Sequence, residues 1–266
     1  YSTNGAKYWT SFQPDQNGTM LWTICRFFKN KEMPKKYVDL VNKLANGTCT
    51  IWDKTHFTIK AQDLWEKYFC YQDLNENHVY SLAACVCGLN LANKITPHKR
   101  WTTVSEQMTK QIQKGYVKKH KHFTRTTGEI KFLKLDASLL GLVYPFNILA
   151  ADDQRMINTV NVMERKIYNQ TGLVRYEYDT FDGWAIEGGF RRRGSGSWPL
   201  LNFWLVIYYS KVGNKKKALD VYNMTLKQFD DYIPEQIFEN NLQQSVKPLA
   251  WAHAMFILAT KELDLI

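Results

Sequence analysis

The chain has 266 residues, room for one large domain or two small ones, and its 45% hydrophobic and 23% charged content excludes a disordered protein. Its best candidate for a membrane span, Pro199 to Tyr209, is about half of the roughly 20 residues that cross a bilayer, so no membrane partner is expected. The net charge of +10 raises nucleic acid as a partner, but the basic residues fall in small groups (Lys29/Lys31/Lys35/Lys36, Lys110 to Lys121, Arg191–Arg193, Lys215–Lys217) and read as a solvated surface, with no nucleic acid bound.

Helical periodicity dominates the chain. Met20, Leu21, Ile24, Phe27 and Phe28 recur at spacings of three and four and predict a helix burying that face. Tyr37, Leu40, Val41 and Leu44 repeat the pattern after Met33-Pro34. Val79 to Ile95 is rich in Ala and Cys, and small side chains let neighbours approach closely, so a central helix is expected there, ended by Thr96-Pro97. Trp101 to Lys119 reads as an exposed outer helix, and Phe123 to Leu135 as a short hairpin. Asp136 to Leu149 reads as an apolar helix broken near Pro145, and Asp152-Asp153 open a helix over Gln154 to Tyr168. Gly172 to Trp198 reads as a long glycine-bearing loop. Pro199 to Val212 and Asn214 to Phe229 form a helical pair joined at Gly213, and Pro248 to Leu263 is the last helix. Helices joined alternately by short turns and long loops predict an all-α toroid of helical hairpins, with the loops gathered at one end to build a site.

Five cysteines (Cys25, Cys49, Cys70, Cys85, Cys87) are odd in number and irregular in spacing. Cys85-x-Cys87 lacks the second pair of a structural zinc site, and idle thiols in a reducing, cytoplasmic compartment are expected. Asn-x-Thr triplets at Asn17, Asn46, Asn169 and Asn223 are the features that would instead fit a secreted protein. Residues 1–5 carry no basic or apolar leader pattern.

Two features point to chemistry. Trp65, Tyr176, Tyr178, Trp184 and Trp198 fall in loops, where flat apolar faces suit the C–H surfaces of sugars, whereas Trp22, Trp101 and Trp204 read as core. Glu66, in Asp63-Leu64-Trp65-Glu66 ahead of an expected helix, and Glu235, in Pro234-Glu235-Gln236, each stand in a loop beside apolar residues. Such surroundings raise a carboxyl pKa toward that of a general acid, and two carboxylates flanking a glycosidic bond are the minimum equipment for glycoside hydrolysis. Surface acids at helix starts are the plain alternative.

Asp63-Leu64-Trp65-Glu66, followed by His78-x-Tyr80 and Gly88-Leu89, resembles the acid-bearing segment of the glucoamylase family, glycoside hydrolase family 15. Leu135 to Leu140 with Asp152-Asp153-x-Arg155, and Gly172 to Asp179, resemble further family segments. Ile233-Pro234-Glu235-Gln236 with Lys247 to Ala254 is similar to the base-bearing segment and the helix that closes the barrel. The resemblance implies an (α/α)6 barrel and inverting hydrolysis that releases glucose from the non-reducing end of α-glucans or α-glucosides. On that basis Glu66 matches the general acid and Glu235 the general base. Leu64, Trp65, Arg175, Asp179, Trp198 and Trp251 match substrate-binding positions, with Arg175 suited to gripping two hydroxyls in its fork. His253 reads as a packing residue. No cofactor or metal is implied, since protonation and water activation need only the two carboxyls.

The resemblance also has departures. Lys67 follows the acid where many relatives carry an acid or an arginine, the segment from Trp184 to Ser197 is unusual, and nothing matches the front Trp-x-Arg-Asp segment that clamps the terminal glucose. Eight or nine of about twelve helices are counted, so residues 1–266 are expected to form a single domain corresponding to the C-terminal two-thirds of the barrel. The remainder would come from a missing N-terminal segment or a second chain. A non-catalytic carbohydrate-binding or regulatory relative of the same fold is the alternative function; a basic RNA-binding helical module is the third reading.

Overall fold

The computed structural model describes residues 4, 11–129, 133–183, 194–240 and 243–266; Trp184 and Arg191–Arg193 lie outside them. Eight α-helices are present among the described residues, joined by short helical connections and by loops carrying two-residue strands. The chain divides into two compact units. The first comprises residues 1–117, 124–133 and 146–148, and the second residues 118–123, 134–145 and 149–266.

The first unit is built on α1 (Pro14–Phe27), α2 (Lys35–Thr50), α3 (Val79–Ile95) and α4 (Lys99–Lys114). Pro14 opens α1, where its missing N–H costs nothing. α3 is buried on almost every side, as its small-residue composition predicts. Gly18 of α1 faces it so closely that a Cβ there would collide with the Ala84 backbone, and a Cβ on Gly88 would lie 2.8 Å from the Gly18 carbonyl oxygen. Only glycine at both places lets the two backbones meet. On α4, Trp101, Val104, Met108 and Ile112 repeat at helical spacing and are all buried.

α1 corrects the expected buried face. Leu21 and Ile24 are buried, but Met20 and Phe27 are 49% and 62% exposed. The buried face is centred on Pro14, Gly18, Leu21 and Cys25, and Met20 and Phe27 lie about half a turn round the helix from Gly18. Trp22, read as core, is only half-buried, whereas Trp101 and Trp204 are buried as expected. Between α2 and α3 the chain makes small antiparallel pairs: Trp52–Asp53 with His56–Phe57, and Ala61–Gln62 with Phe69–Cys70. Thr126–Thr127 pairs with Asn77–His78, so among the described residues that part of 123–135 bonds to a distant segment and not to itself as a hairpin.

The second unit contains α5 (Gln154–Lys166), α6 (Pro199–Lys211), α7 (Lys215–Leu226) and α8 (Ala250–Glu262). α6 is the central helix, apolar all round and packed against α7 and α8. Its one buried polar residue in mid-helix is Asn202, whose amide accepts from Leu173 N at 2.8 Å and donates to Thr171 O at 2.9 Å. Gly172, between them, has φ +124°, and a Cβ there would overlap the Asn202 side chain. Caps follow the sequence: Asp153 Oδ1 accepts from Arg155 N and Asn214 Oδ1 from Lys217 N. The segment read as an apolar helix from Asp136 to Leu149 is instead a six-residue 3-10 helix, Ala137–Leu142, running into turns. Gly141 and Pro145 deny it an α-helical continuation, and burial alone accounts for its apolar run.

All five cysteines are free. Burial raises every thiol above its ordinary value, Cys49 and Cys87 to about 11.

Candidate active site

Each unit carries one of the two glutamates singled out in the sequence. In the first, Asp63 to Tyr68 form the loop of the hairpin that joins Ala61–Gln62 to Phe69–Cys70. The sequence expectation placed these residues ahead of a helix; the structure places them in a strand-to-strand turn. Asp63 N donates to Tyr68 O at 2.9 Å, and Glu66 N to Asp63 O at 3.1 Å. The buried Asp63 side chain closes the loop, with Oδ1 accepting from Lys67 N at 2.8 Å and Tyr68 N at 3.0 Å. Glu66 sits in this turn with φ +57°. Trp65 is buried and Leu64 half-buried, but Glu66 itself is exposed, which corrects the apolar surroundings expected for it. The turn delivers its carboxyl to the surface because the chain reverses direction there, leaving Trp65 facing inward and Glu66 outward.

The loop is fixed to the start of α1. Gln62 N donates to Phe12 O at 2.8 Å, and Gln13 Nε2 donates to Asp63 O at 2.9 Å. Two residues on, Asp15 is buried and accepts from Ser81 Oγ at 2.7 Å. Burial pushes its carboxyl up to about 6; the Ser81 bond opposes this, and the charges of Asp63 and Glu66 add to it. On the other side, the Arg125 guanidinium packs 4.3 Å from the Tyr68 ring centre. Burial, helped by the Arg125 charge, pushes His78 down to about 3, so it is neutral at any working pH.

In the second unit the structure brings four of the sequence-predicted residues together. Arg175 Nε and Nη2 hold Asp179 Oδ2 and Oδ1 at 2.7 and 2.9 Å, a two-pronged ion pair whose side chains are 7% and 0% exposed. One edge of the arginine fork is thus taken by Asp179. Burial works against the Arg175 charge, but the Asp179 bond and charge outweigh it and hold the guanidinium protonated. The guanidinium lies 4.9 Å from the Trp198 ring and 4.6 Å from Phe181. Trp198 is the buried residue just before α6, its backbone N–H bonded to Leu173 O at 2.8 Å.

Glu235 completes this group. Burial raises its carboxyl pKa, and the nearby Arg175 charge opposes the rise. A Cβ on Gly183 would lie 3.8 Å from Glu235 Oε2, so a residue without a side chain runs past the carboxylate here. The backbone around Glu235 is pinned on both sides. Its N–H donates to Val246 O at 2.9 Å, Ile237 exchanges bonds with Ser197, and Gln236 Oε1 accepts from Gly196 N at 2.9 Å and Ser195 Oγ at 3.1 Å. Trp251 lies on the first turn of α8, 37% exposed. That helix is tied to the Glu235 segment by Leu249 N to Ile233 O and by the His253 ring, which accepts from Ile233 N at 3.4 Å; His253 thus has the packing role read from the sequence.

Four contributors were given no role by sequence reasoning. Asp63 and Gln236 were quoted only as neighbours of the two glutamates. Phe181 had no signal beyond lying two residues past Asp179. Asp15 had none, because its partner Ser81 is 66 residues away. No group of three His, Cys, Asp or Glu side chains among the described residues could hold a metal ion. What the two segments offer is carboxyl chemistry beside an arginine and aromatic rings.

The chain belongs to the glycosyl hydrolases family 15, whose family model matches residues 2–261 and so runs across both units. It is similar to an uncharacterized glycosyl hydrolase of Methanocaldococcus jannaschii, 28% identical over 285 residues that cover 99% of this chain and 44% of that protein. It is also similar to an isomaltose glucohydrolase of Kribbella flavida, 23% identical over 99% of this chain and 67% of that protein. A solved glycosidase shares the fold with a TM-score of 0.79 at 22% identity, over 98% of this chain and 70% of the other. The chain therefore spans less than half the length of the archaeal relative. Fold likeness at this identity fixes the helical architecture and leaves the chemistry to the site residues.

Proposed function

We propose that the chain carries both catalytic carboxyls of an inverting hydrolase that releases glucose from the non-reducing end of an α-glucoside. Glu66 is the acid that protonates the glycosidic oxygen, and Glu235 the base that takes a proton from the attacking water. Leu64 and Trp65 in the first unit and Arg175, Asp179, Trp198 and Trp251 in the second are the sugar-binding residues. The observation that carries this reading is the half-buried Glu235 beside the Arg175–Asp179 pair and the Trp198 ring. Burial raises the Glu235 pKa, which suits a group that must take up a proton, and the Arg175 charge limits the rise, while the aromatic face and ion pair offer the apolar wall and polar rim that a sugar needs. The resemblance of the chain to an isomaltose glucohydrolase makes isomaltose the first substrate to try. Inversion requires the two carboxyls to stand roughly 6.5–9.5 Å apart, leaving space for the water. In this reading further helices, from another segment or a second chain, complete the barrel, consistent with the greater length of the relatives.

Incubating the complete native protein with isomaltose and with maltose, and following the anomeric proton by NMR, tests the reading. β-Glucose is the expected first product. Glu66→Gln and Glu235→Gln are each expected to lower its release by about 10²–10⁴-fold. Initial release of α-glucose, or no glucose from either substrate, would overturn it.

A further inference from the structure

We propose that Asp63 is the positioning residue for proton donation by Glu66, acting through the backbone of the turn without touching the sugar. The inference rests on the reading of Glu66 as the acid. Its starting point is the left-handed backbone at Glu66, φ +57°, which an L residue with a long side chain adopts at a cost of about 1–2 kcal/mol. A strained residue keeps such a conformation only where its surroundings enforce it.

The enforcement converges on one residue. Asp63 O accepts from Glu66 N at 3.1 Å, and Asp63 Oδ1 accepts from the next two backbone N–H groups, Lys67 at 2.8 Å and Tyr68 at 3.0 Å. Asp63 is itself held: it is buried, its carbonyl takes a second bond from Gln13 Nε2 at 2.9 Å, and its N–H closes the hairpin to Tyr68 O. Tyr68, at the far end of the turn, is held by its contact with Arg125. The exposed Glu66 carboxyl therefore projects from a loop whose backbone has little freedom. Proton transfer to a leaving oxygen needs the donor within hydrogen-bond reach, and a displacement of about 1 Å can cost on the order of 10²-fold in rate.

The test exploits the leaving group. The glucose leaving isomaltose departs as an alkoxide unless protonated, whereas α-glucosyl fluoride loses fluoride with little help from an acid. Asp63→Ala in the complete native protein is expected to lower kcat on isomaltose on the order of 10²-fold with KM changed by less than about threefold, and kcat on the fluoride by about threefold or less. Asp63→Asn, which keeps the Oδ1 acceptor, is expected to restore most of the isomaltose rate. In a Glu66→Gln background, Asp63→Ala is expected to add almost nothing. Should Asp63→Ala fail to fold, Asp63→Ser, with its shorter neutral acceptor, carries the same pair of assays. Equal losses on both substrates, or a full additional loss in the Glu66→Gln background, would overturn the role of Asp63 while leaving the hydrolase standing. A wild-type protein that releases glucose from neither substrate would overturn both.

Discussion

Replacing Asp15 with asparagine isolates the cost of one buried charge. The carboxyl is 4% exposed and accepts from Ser81 Oγ, a bond that an asparagine oxygen can also accept. Its pKa rises from 3.8 to about 6, mainly because burial disfavours the charged form. In the unfolded chain the proton leaves near 3.8 and in the native protein near 6, so the folded state binds it more tightly. The stability this contributes is fully present below pH 3.8, declines between 3.8 and 6, and is lost above 6. A shift of about 2 units at 1.36 kcal/mol each amounts to ~3 kcal/mol, of which about 2 kcal/mol falls between about pH 4.5 and about pH 8. The asparagine side chain has no proton to lose there. Urea unfolding followed by tryptophan fluorescence at those two pH values should show Asp15→Asn gaining about 2 kcal/mol on the wild type as pH rises. A difference between the two proteins that does not change with pH would refute the assignment of a buried, tightly protonated carboxyl to this position.

Three further outcomes are expected. Arg175→Leu leaves the enclosed Asp179 carboxyl without its partner and should cost about 3–5 kcal/mol in denaturant unfolding, with Arg175→Leu/Asp179→Leu recovering much of the loss. Gly18→Ala drives a methyl group into the Ala84 backbone and should cost at least about 1–3 kcal/mol, read as a lowered urea midpoint. The acid limb of the kcat/KM profile should lie above the usual carboxylate range, since burial raises Glu235 and a base is lost as pH falls through its pKa. Removing the opposing Arg175 charge should move that limb further up; a limb unmoved by Arg175→Leu would separate the two residues.

Legibility in the sequence followed physical period. α3 runs over Val79–Ile95 and α6 starts at Pro199, as the composition and the proline predict, because a helix that is central or capped carries its own signal. Asp153 and Asn214 announced their helix starts by the side-chain oxygen each places there. The two-residue strands did not, since each is too short for an alternating pattern and exists only through a partner elsewhere in the chain, as Asn77–His78 pairs with Thr126–Thr127. The same reason hid the true setting of Glu66, which is a hairpin turn governed by one aspartate and not a helix start. In the second unit, the Pro234-Glu235-Gln236 loop was readable as a carboxyl beside apolar residues, and Arg175 and Asp179 came only through the family resemblance. That Phe181, Trp198 and Gly183 gather around them is tertiary information, and no local pattern encodes it.

Burial raises the pKa of every cysteine in this chain and so slows each toward maleimides and iodoacetamide. At about pH 7.5 a thiol titrating near 11 is ionised about once in three thousand molecules, and the thiolate is the species that reacts. A cysteine introduced at exposed Lys67, next to Glu66, and another at Tyr178, 77% exposed beside Asp179, would therefore take up a pair of spin labels selectively. The separation of the Glu66 turn from the Arg175–Asp179 segment then becomes a quantity read in solution by dipolar spectroscopy, with every native sulfur left in place.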